Sequence, residues 1–101
     1  MSHRALNPEQ FMVDAYHGTT EERAASIREE GLRRPAGVGP GWLMLTSSRE
    51  DAERYAGGYE GTPTVLSVRV PRNLLTKSRP HLNGEAWGIL HDHIPPRYIT
   101  G

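Results

Sequence analysis

The most regular pattern of apolar and polar positions lies between Thr64 and Val70, where the two kinds of side chain alternate. A period of two puts every second side chain on the same face, which predicts a strand with one buried face. Pro71 is expected to end this strand, because proline has no N–H to donate to the next rung of a sheet. Three other apolar segments of strand length predict the remaining strands: 11–17, 42–45 and 85–90.

Between the first two of these segments, the pattern changes to one that favours a short helix. Thr19 and Glu22 have the spacing of a capping box, in which the threonine hydroxyl caps the first turn of a helix. The buried side of this helix is predicted to carry Ala24, Ile27 and, just past the end of the helix, Leu32. Gly31 is expected to end this helix as a left-handed cap.

A second helix is predicted over residues 48–57. Ser47 and Glu50 repeat the capping-box spacing, and the glycine pair at 57–58 stops the pattern. Tyr55 is the one large aromatic side chain on this helix. Its spacing from the small apolar residues of the helix is compatible with core packing and also with an aromatic platform for a ligand.

The order of elements is β-α-β-α-β-loop-β, with loops expected at 33–41 and 72–84. The strands are too few, and the helices too short, for a doubly wound parallel sheet, and no Gly-x-Gly-x-x-Gly follows a strand. We therefore expect an α+β fold with a small, mainly antiparallel split sheet and two short helices. Residues 1–10 are expected to be an N-terminal arm, and residues 11–101 a single domain.

Composition narrows the functional classes. The 101 residues contain twelve basic and twelve acidic side chains, so no overall field attracts nucleic acid. There is no cysteine, which removes disulfides, a thiolate nucleophile and a cysteine zinc site. No apolar run approaches the roughly 20 residues that a membrane span requires. We expect a cytoplasmic protein that does not act in a membrane.

The tetrapeptide Tyr16-His17-Gly18-Thr19 is the strongest candidate for a binding site, because it joins a strand to a helix N-terminus. Gly18 has no Cβ, so a flat polar ligand can approach its backbone N–H and C=O closely. His17 offers an imidazole beside it. By itself the tetrapeptide is equally compatible with a strand end that carries a hydrogen-bonded histidine. The features that follow it in order favour the binding interpretation.

The chain resembles the ADP-ribosyltransferases of the diphtheria-toxin and poly(ADP-ribose) polymerase type, the histidine–tyrosine–glutamate class. The resemblance covers roughly residues 12–99 and rests on three ordered segments: Tyr16 to Thr19, Gly41 to Tyr55, and Gly84-Glu85. It implies that NAD binds as a co-substrate. The histidine of that class holds a ribose hydroxyl and the glycine backbone pairs with the nicotinamide amide, roles that fall to His17 and Gly18, with Thr19 beside them.

The same resemblance implies that two aromatic rings hold nicotinamide. Tyr55 matches the tyrosine that the family carries on the helix. Met44 stands at the position of the strand tyrosine, which is a departure from the family pattern. Trp42, two residues earlier on the same strand face, could supply the missing ring, with core packing as the alternative. A cationic nicotinamide ring is attracted to aromatic faces by stacking and cation–π interaction.

Glu85 is the best match for the catalytic glutamate of the family. Cleavage of the nicotinamide–ribose bond passes through an oxocarbenium-like state, which a nearby carboxylate stabilises. A solvated hairpin position is the alternative for Glu85, and Asp92 and Glu60 are the substitutes. Asn83 lies two residues earlier, where arginine-modifying relatives carry Glu or Gln, and this argues mildly against arginine as the acceptor.

Two other groups admit more than one interpretation. His91-Asp92-His93 has the spacing of two metal ligands on one strand face, but no third ligand is evident, so we expect no metal site. Arg33-Arg34 could contact a pyrophosphate, although a solvated loop is the interpretation that we favour.

The sequence thus predicts an NAD-dependent mono-ADP-ribosyltransferase that modifies a macromolecular acceptor, as toxin-type or phage-type effectors do. The acceptor is expected to be a protein, with nucleic acid left open. Three alternatives remain: an NAD glycohydrolase, a non-catalytic module that binds NAD, ADP-ribose or a protein, and an RNA 2′-phosphotransferase. The last is disfavoured because Arg33, Arg34 and Arg69 do not form a recognisable phosphate-binding set.

Overall fold

The alternating segment of the sequence forms one member of the longest strand pair in the fold. The structure is a computed structural model that describes residues 11–33, 44–90 and 93–101. In chain order its strands are β1 (Met12–Thr20), β2 (Leu32–Arg33), β3 (Met44–Thr46), β4 (Pro63–Pro71), β5 (Arg79–His81), β6 (Gly84–Gly88) and β7 (His93–Ile94). Its helices are α1 (Glu21–Glu30) and α2 (Arg49–Ala56).

Five of these strands form one antiparallel sheet in the order β4-β1-β3-β6-β5, and β2 pairs with β7 in a small second sheet. The expected α+β fold with two short helices is confirmed. The alternation in β4 has the predicted consequence, because Leu66, Val68 and Val70 are each at most 1% exposed. All nine residues of β1 pair with β4, from Met12↔Pro71 to Thr20↔Pro63.

The large sheet has two differently covered faces. We call the face that carries Val13, Ala15, His17 and Thr19 the inner face. Val13 and Ala15 belong there to the main apolar cluster, together with residues of the neighbouring strands and of the small sheet: Leu45, Val68, Val70, Trp87, Leu32 and Ile94. Ile27 of α1 packs against this cluster. The opposite face, which carries Tyr16 and Gly18, is covered by α2, and we call it the α2 face.

The helix α1 begins one residue later than predicted. Thr20 is the N-cap and accepts a hydrogen bond from the Arg23 N–H at 3.3 Å, so the predicted cap at Thr19 is wrong. Thr19 instead belongs to β1, which ends at Thr20 and not at residue 17 as predicted. Gly31 ends the helix as expected, with a φ of 84° and its N–H donated to Ile27 O. Its ψ of −176°, however, lies outside the left-handed helical region.

The second helix shows the same displacement. Ser48, and not Ser47, caps α2 by accepting a hydrogen bond from the Asp51 N–H at 3.2 Å. Ser47 instead directly follows β3, and its N–H donates to Glu85 O on the neighbouring strand β6. The helix therefore covers Arg49–Ala56 instead of 48–57, and glycine follows it as predicted.

The shortest strands were not predicted. The segment 72–84, expected to be irregular, contains a 3₁₀ turn at Arg72–Leu74, then β5 and the start of β6. The last long strand ends at Gly88, not at residue 90. The C-terminal segment packs on the fold, since Ile94 is fully buried and Ile99 bridges Val68.

The strand predicted at 42–45 is β3, which runs over Met44–Thr46, and its first two predicted residues lie outside the described part. The expected N-terminal arm, residues 1–10, also lies outside the described residues. Of the helices in the described ranges, neither has the length and apolar character needed to cross a bilayer.

Candidate functional site

The two central strands part from each other beside Gly18. They pair at Tyr16↔Thr46, and the Ser47 N–H donates to Glu85 O, so Tyr16 and Thr46 must exchange the two hydrogen bonds of this pair. Gly18, two residues further along β1, turns its N–H and C=O to the same side as Tyr16. Continued register would bring Met44 opposite Gly18, but in the described residues the β1–β3 pairing stops at Tyr16. The polar backbone groups of Gly18 on this side therefore lie where, within the described residues, the pairing of β1 with β3 ends.

Gly18 is also required by the packing of α2. A Cβ at this position would overlap the carbonyl oxygen of Ala52 and crowd the backbone N of Ala56. The glycine therefore lets the helix lie directly on the strand, and Gly18 is itself buried. The sequence prediction considered only the approach of a ligand and not this packing.

A cavity of about 280 Å³ lies on the inner face next to His17 and Thr19. Both residues are buried, at 7% and 2% exposure. α1 and β2 form the other walls and contribute the basic side chains Arg23 and Arg33. Tyr59 completes the rim, and the Arg23 guanidinium lies 5.1 Å from the centre of its ring. The cavity therefore combines an imidazole, two cations, an aromatic ring, the hydroxyls of Thr19 and Ser26, and the carboxylate of Glu30.

Glu85 lies on the same face of the sheet as His17. Alternation along β6 puts Glu85 on the side of Trp87, and Trp87 pairs with Leu45 in the inner-face cluster. Two strand spacings across the sheet and two residues along it separate the Cα atoms of Glu85 and His17 by roughly 12 Å. The side chain of Glu85 is exposed. His17 and Glu85 therefore share a face of the sheet without lying next to each other.

Tyr55 is not a core residue. It is 38% exposed, and its ring stacks on His81 of β5 with 5.6 Å between centroids and 7° between planes. The tyrosine hydroxyl and His81 Nε2 are also hydrogen-bonded. Met44 occupies β3 opposite Gly88, and Trp42 lies outside the described residues. The aromatic partner of Tyr55 in the described residues is therefore His81, which the sequence did not indicate.

The structure also shows a carboxylate that sequence reasoning missed. Asp51 of α2 is fully buried and accepts two hydrogen bonds from Asn83. Glu60, one substitute for Glu85, is exposed, whereas Asp92 and His91 lie outside the described residues. Among the residues that are described, no group of three His, Asp or Glu side chains could hold a metal ion.

Comparison of the chain with models of protein families finds no match, and comparison with curated proteins finds none either. The geometry of the site and the resemblance carried by the ordered motifs are therefore the observations that bear on function.

Proposed function

We propose that this protein binds NAD in the cleft between β1, α1 and β6 and transfers ADP-ribose to a macromolecular acceptor. The observation that carries the proposal is the position of Gly18, whose backbone edge lies at the split between β1 and β3. A carboxamide such as that of nicotinamide needs one acceptor and one donor in a fixed relation, and a strand edge offers this pair.

The cavity on the inner face would hold the rest of the co-substrate. The imidazole of His17 and the hydroxyl of Thr19 suit ribose hydroxyls, and the guanidinium groups of Arg23 and Arg33 suit a pyrophosphate. Arg33 lines the cavity and is also exposed, so its contact with a phosphate remains a prediction that a binding experiment has to test. At about 280 Å³ the cavity is at the small end of ligand pockets, so it would hold only part of NAD.

Glu85 would act on the charge that develops as the bond breaks. The glycosidic C–N bond cleaves, nicotinamide leaves with the electron pair, and positive charge spreads over ribose C1 and the ring oxygen. The carboxylate stabilises this cation from the same sheet face as His17. A nucleophile of the acceptor then forms the new bond to C1 and gives up its proton. Water in place of the acceptor gives the glycohydrolase reaction.

A non-catalytic binding module is the second candidate, and the Tyr55–His81 stack is the observation that favours it. A separation of 5.6 Å between ring centroids leaves no space for a third ring between them. Met44 also stands at the β3 position where the family carries a tyrosine, so that position itself offers no aromatic ring. On this interpretation the fold binds a nucleotide or a protein without cleaving NAD.

One assay separates these candidates. The protein is incubated with NAD labelled in the adenylate half and, separately, in the nicotinamide half, each with and without a cell lysate. Transfer predicts released nicotinamide and label on a macromolecule, which protease or nuclease digestion identifies. Hydrolysis predicts released nicotinamide and free ADP-ribose without lysate. Binding without release of nicotinamide would support the module and contradict the transferase. A cytoplasmic location is part of the proposal, because the reaction requires NAD as a co-substrate.

A further inference from the structure

A buried carboxylate of α2 holds the turn that precedes Glu85. Asp51 Oδ2 accepts the backbone N–H of Asn83 at 3.0 Å, and Asp51 Oδ1 accepts the side-chain Nδ2 of Asn83 at 2.8 Å. Both carboxylate oxygens are thus engaged by a single residue that is 32 positions away in the chain. Asp51 itself is 0% exposed.

A carboxylate at this depth is costly unless it is fully hydrogen-bonded. Its position in the first turn of α2 offsets part of this cost, because the helix N-terminus favours negative charge. A small apolar residue would fill the same space without the penalty. The interaction with Asn83 is therefore the feature that explains a buried aspartate here.

The turn that Asp51 holds lacks the backbone conformation that two-residue hairpin loops favour. β5 and β6 pair at His81↔Gly84, which leaves Leu82 and Asn83 as a two-residue loop. Such loops match the twist of the strands best when at least one central residue has positive φ. Neither does here, since within the described part positive φ occurs only at glycine. The bidentate contact with Asp51 supplies the restraint from outside the hairpin.

The restraint continues to Glu85 through the residues at the start of α2. The Glu85 N–H donates to Ser47 Oγ at 2.8 Å, and the Ser47 N–H donates to Glu85 O at 2.9 Å. Gly84, which precedes Glu85, lies so close to Ser47 that a Cβ on Gly84 would overlap the Ser47 hydroxyl. The same helix rests on Gly18 through Ala52. α2 therefore connects the strand edge at Gly18 with the backbone of Glu85.

We propose that Asp51 and Asn83 form a positioning pair that fixes the Glu85 carboxylate relative to the ligand edge at Gly18. This inference rests on the proposed NAD-cleaving function. Neither residue touches the reacting atoms. Their effect is to hold a three-residue edge strand and its turn against α2, so that Glu85 faces the cleft in one orientation. An engaged Asn83 amide is also withheld from any acceptor group.

A reciprocal exchange of the two side chains tests the pair. Asn83→Asp places two carboxylates face to face and breaks the contact. Asp51→Asn together with Asn83→Asp restores it, because the amide introduced on α2 accepts the backbone N–H of the turn and donates to the carboxylate introduced there. Asp51→Asn alone should stay close to wild type, since the Asn83 amide can turn over. Leu82→Asp adds the same charge at the neighbouring turn residue, which is 65% exposed, and serves as the matched control.

The measurements are kcat and KM for nicotinamide release by the full chain, and the thermal unfolding midpoint. Asn83→Asp should lower kcat about 10- to 100-fold, as a misplaced catalytic group does, with little change in KM for NAD. The double variant should recover most of the loss, and Leu82→Asp should lose much less than Asn83→Asp. Asn83→Ala keeps the backbone contact and should show a smaller loss in kcat, which provides a readout if Asn83→Asp does not fold.

Three results would overturn the pair as a positioning device. One is wild-type kcat in folded Asn83→Asp and Asn83→Ala. Another is a double variant that regains stability but not kcat. The third is a loss in Leu82→Asp equal to that in Asn83→Asp. A wild-type protein that releases no nicotinamide under any condition would instead contradict the proposed function, and the inference with it.

Discussion

Replacement of Glu85 by glutamine should separate binding from bond cleavage. The substitution keeps the shape of the side chain and removes its charge. In the described residues the hydrogen bonds of Glu85 are made by its backbone, and the side chain is exposed. The unfolding free energy should therefore change little, and any loss of turnover can be assigned to the charge.

The size of the effect follows from Coulomb's law. A carboxylate about 4 Å from the developing cation contributes about 1 kcal/mol in bulk water and about 4 kcal/mol at the effective dielectric of a protein surface site. These values correspond to rate losses of roughly 5-fold and 1000-fold. We expect a loss of about 100-fold, between these two values and as large as when one electrostatic stabiliser is removed elsewhere.

The assay compares NAD affinity by calorimetry with the rate of nicotinamide release. Affinity should be nearly unchanged, because the carboxylate acts on charge that appears only as the bond breaks. Glu29→Gln, an exposed glutamate on α1, is the matched control and should match wild type in both measurements. Equal release rates in Glu85→Gln and wild type would refute the reasoning, and the catalytic carboxylate would then be sought at Asp92.

Three further substitutions test individual contacts. Tyr55→Ala should weaken binding of nicotinamide roughly 3- to 10-fold by loss of stacking, measured by calorimetry, with a small change in melting temperature because Tyr55 is 38% exposed; unchanged affinity in the folded protein would remove it from the site. Thr20→Ala should lower the unfolding free energy by about 1 kcal/mol in urea denaturation, whereas Thr20→Ser should not, and equal effects would contradict the assigned cap. Gly31→Ala should cost at least about 1–2 kcal/mol, because its φ is 84° and a Cβ would overlap Ile94 O. Gly58→Ala, where a Cβ has ordinary contacts, is the control for that position, and similar losses would refute the explanation.

The sequence predicted the features that local chemistry determines. The alternation of apolar and polar residues located β4. Gly31 and the glycine after Ala56 marked the helix ends, because the conformational freedom of glycine does not depend on distant parts of the chain. The N-caps were each misplaced by one residue. Thr19 and Thr20 carry the same hydroxyl, as do Ser47 and Ser48, so the choice depends on where the preceding strand ends.

The features that the sequence did not predict depend on distant partners. β2 and β7 contain two residues each and exist because Leu32 meets Ile94, a pairing that no local period encodes. Asp51 looks like an ordinary acidic residue in the first turn of a helix, and its partner Asn83 is 32 residues away. From the sequence alone, a substitution such as Gly18→Val looks like a simple test of ligand binding. The overlap with Ala52 O means that this variant would displace α2, so it cannot isolate the ligand contact.

The most direct test of the account is a titration of the isotope-labelled protein with NAD, followed by amide chemical shifts in NMR. The account predicts that the largest shifts occur at Gly18 and its neighbours His17 and Thr19, and at Glu85 across the sheet. A second cavity at the other end of β1, beside Phe11 and Arg72, provides the internal comparison and should be unaffected. Shifts centred on that cavity, or none at all at saturating NAD, would contradict the assignment of the β1–β3 split as the nicotinamide site.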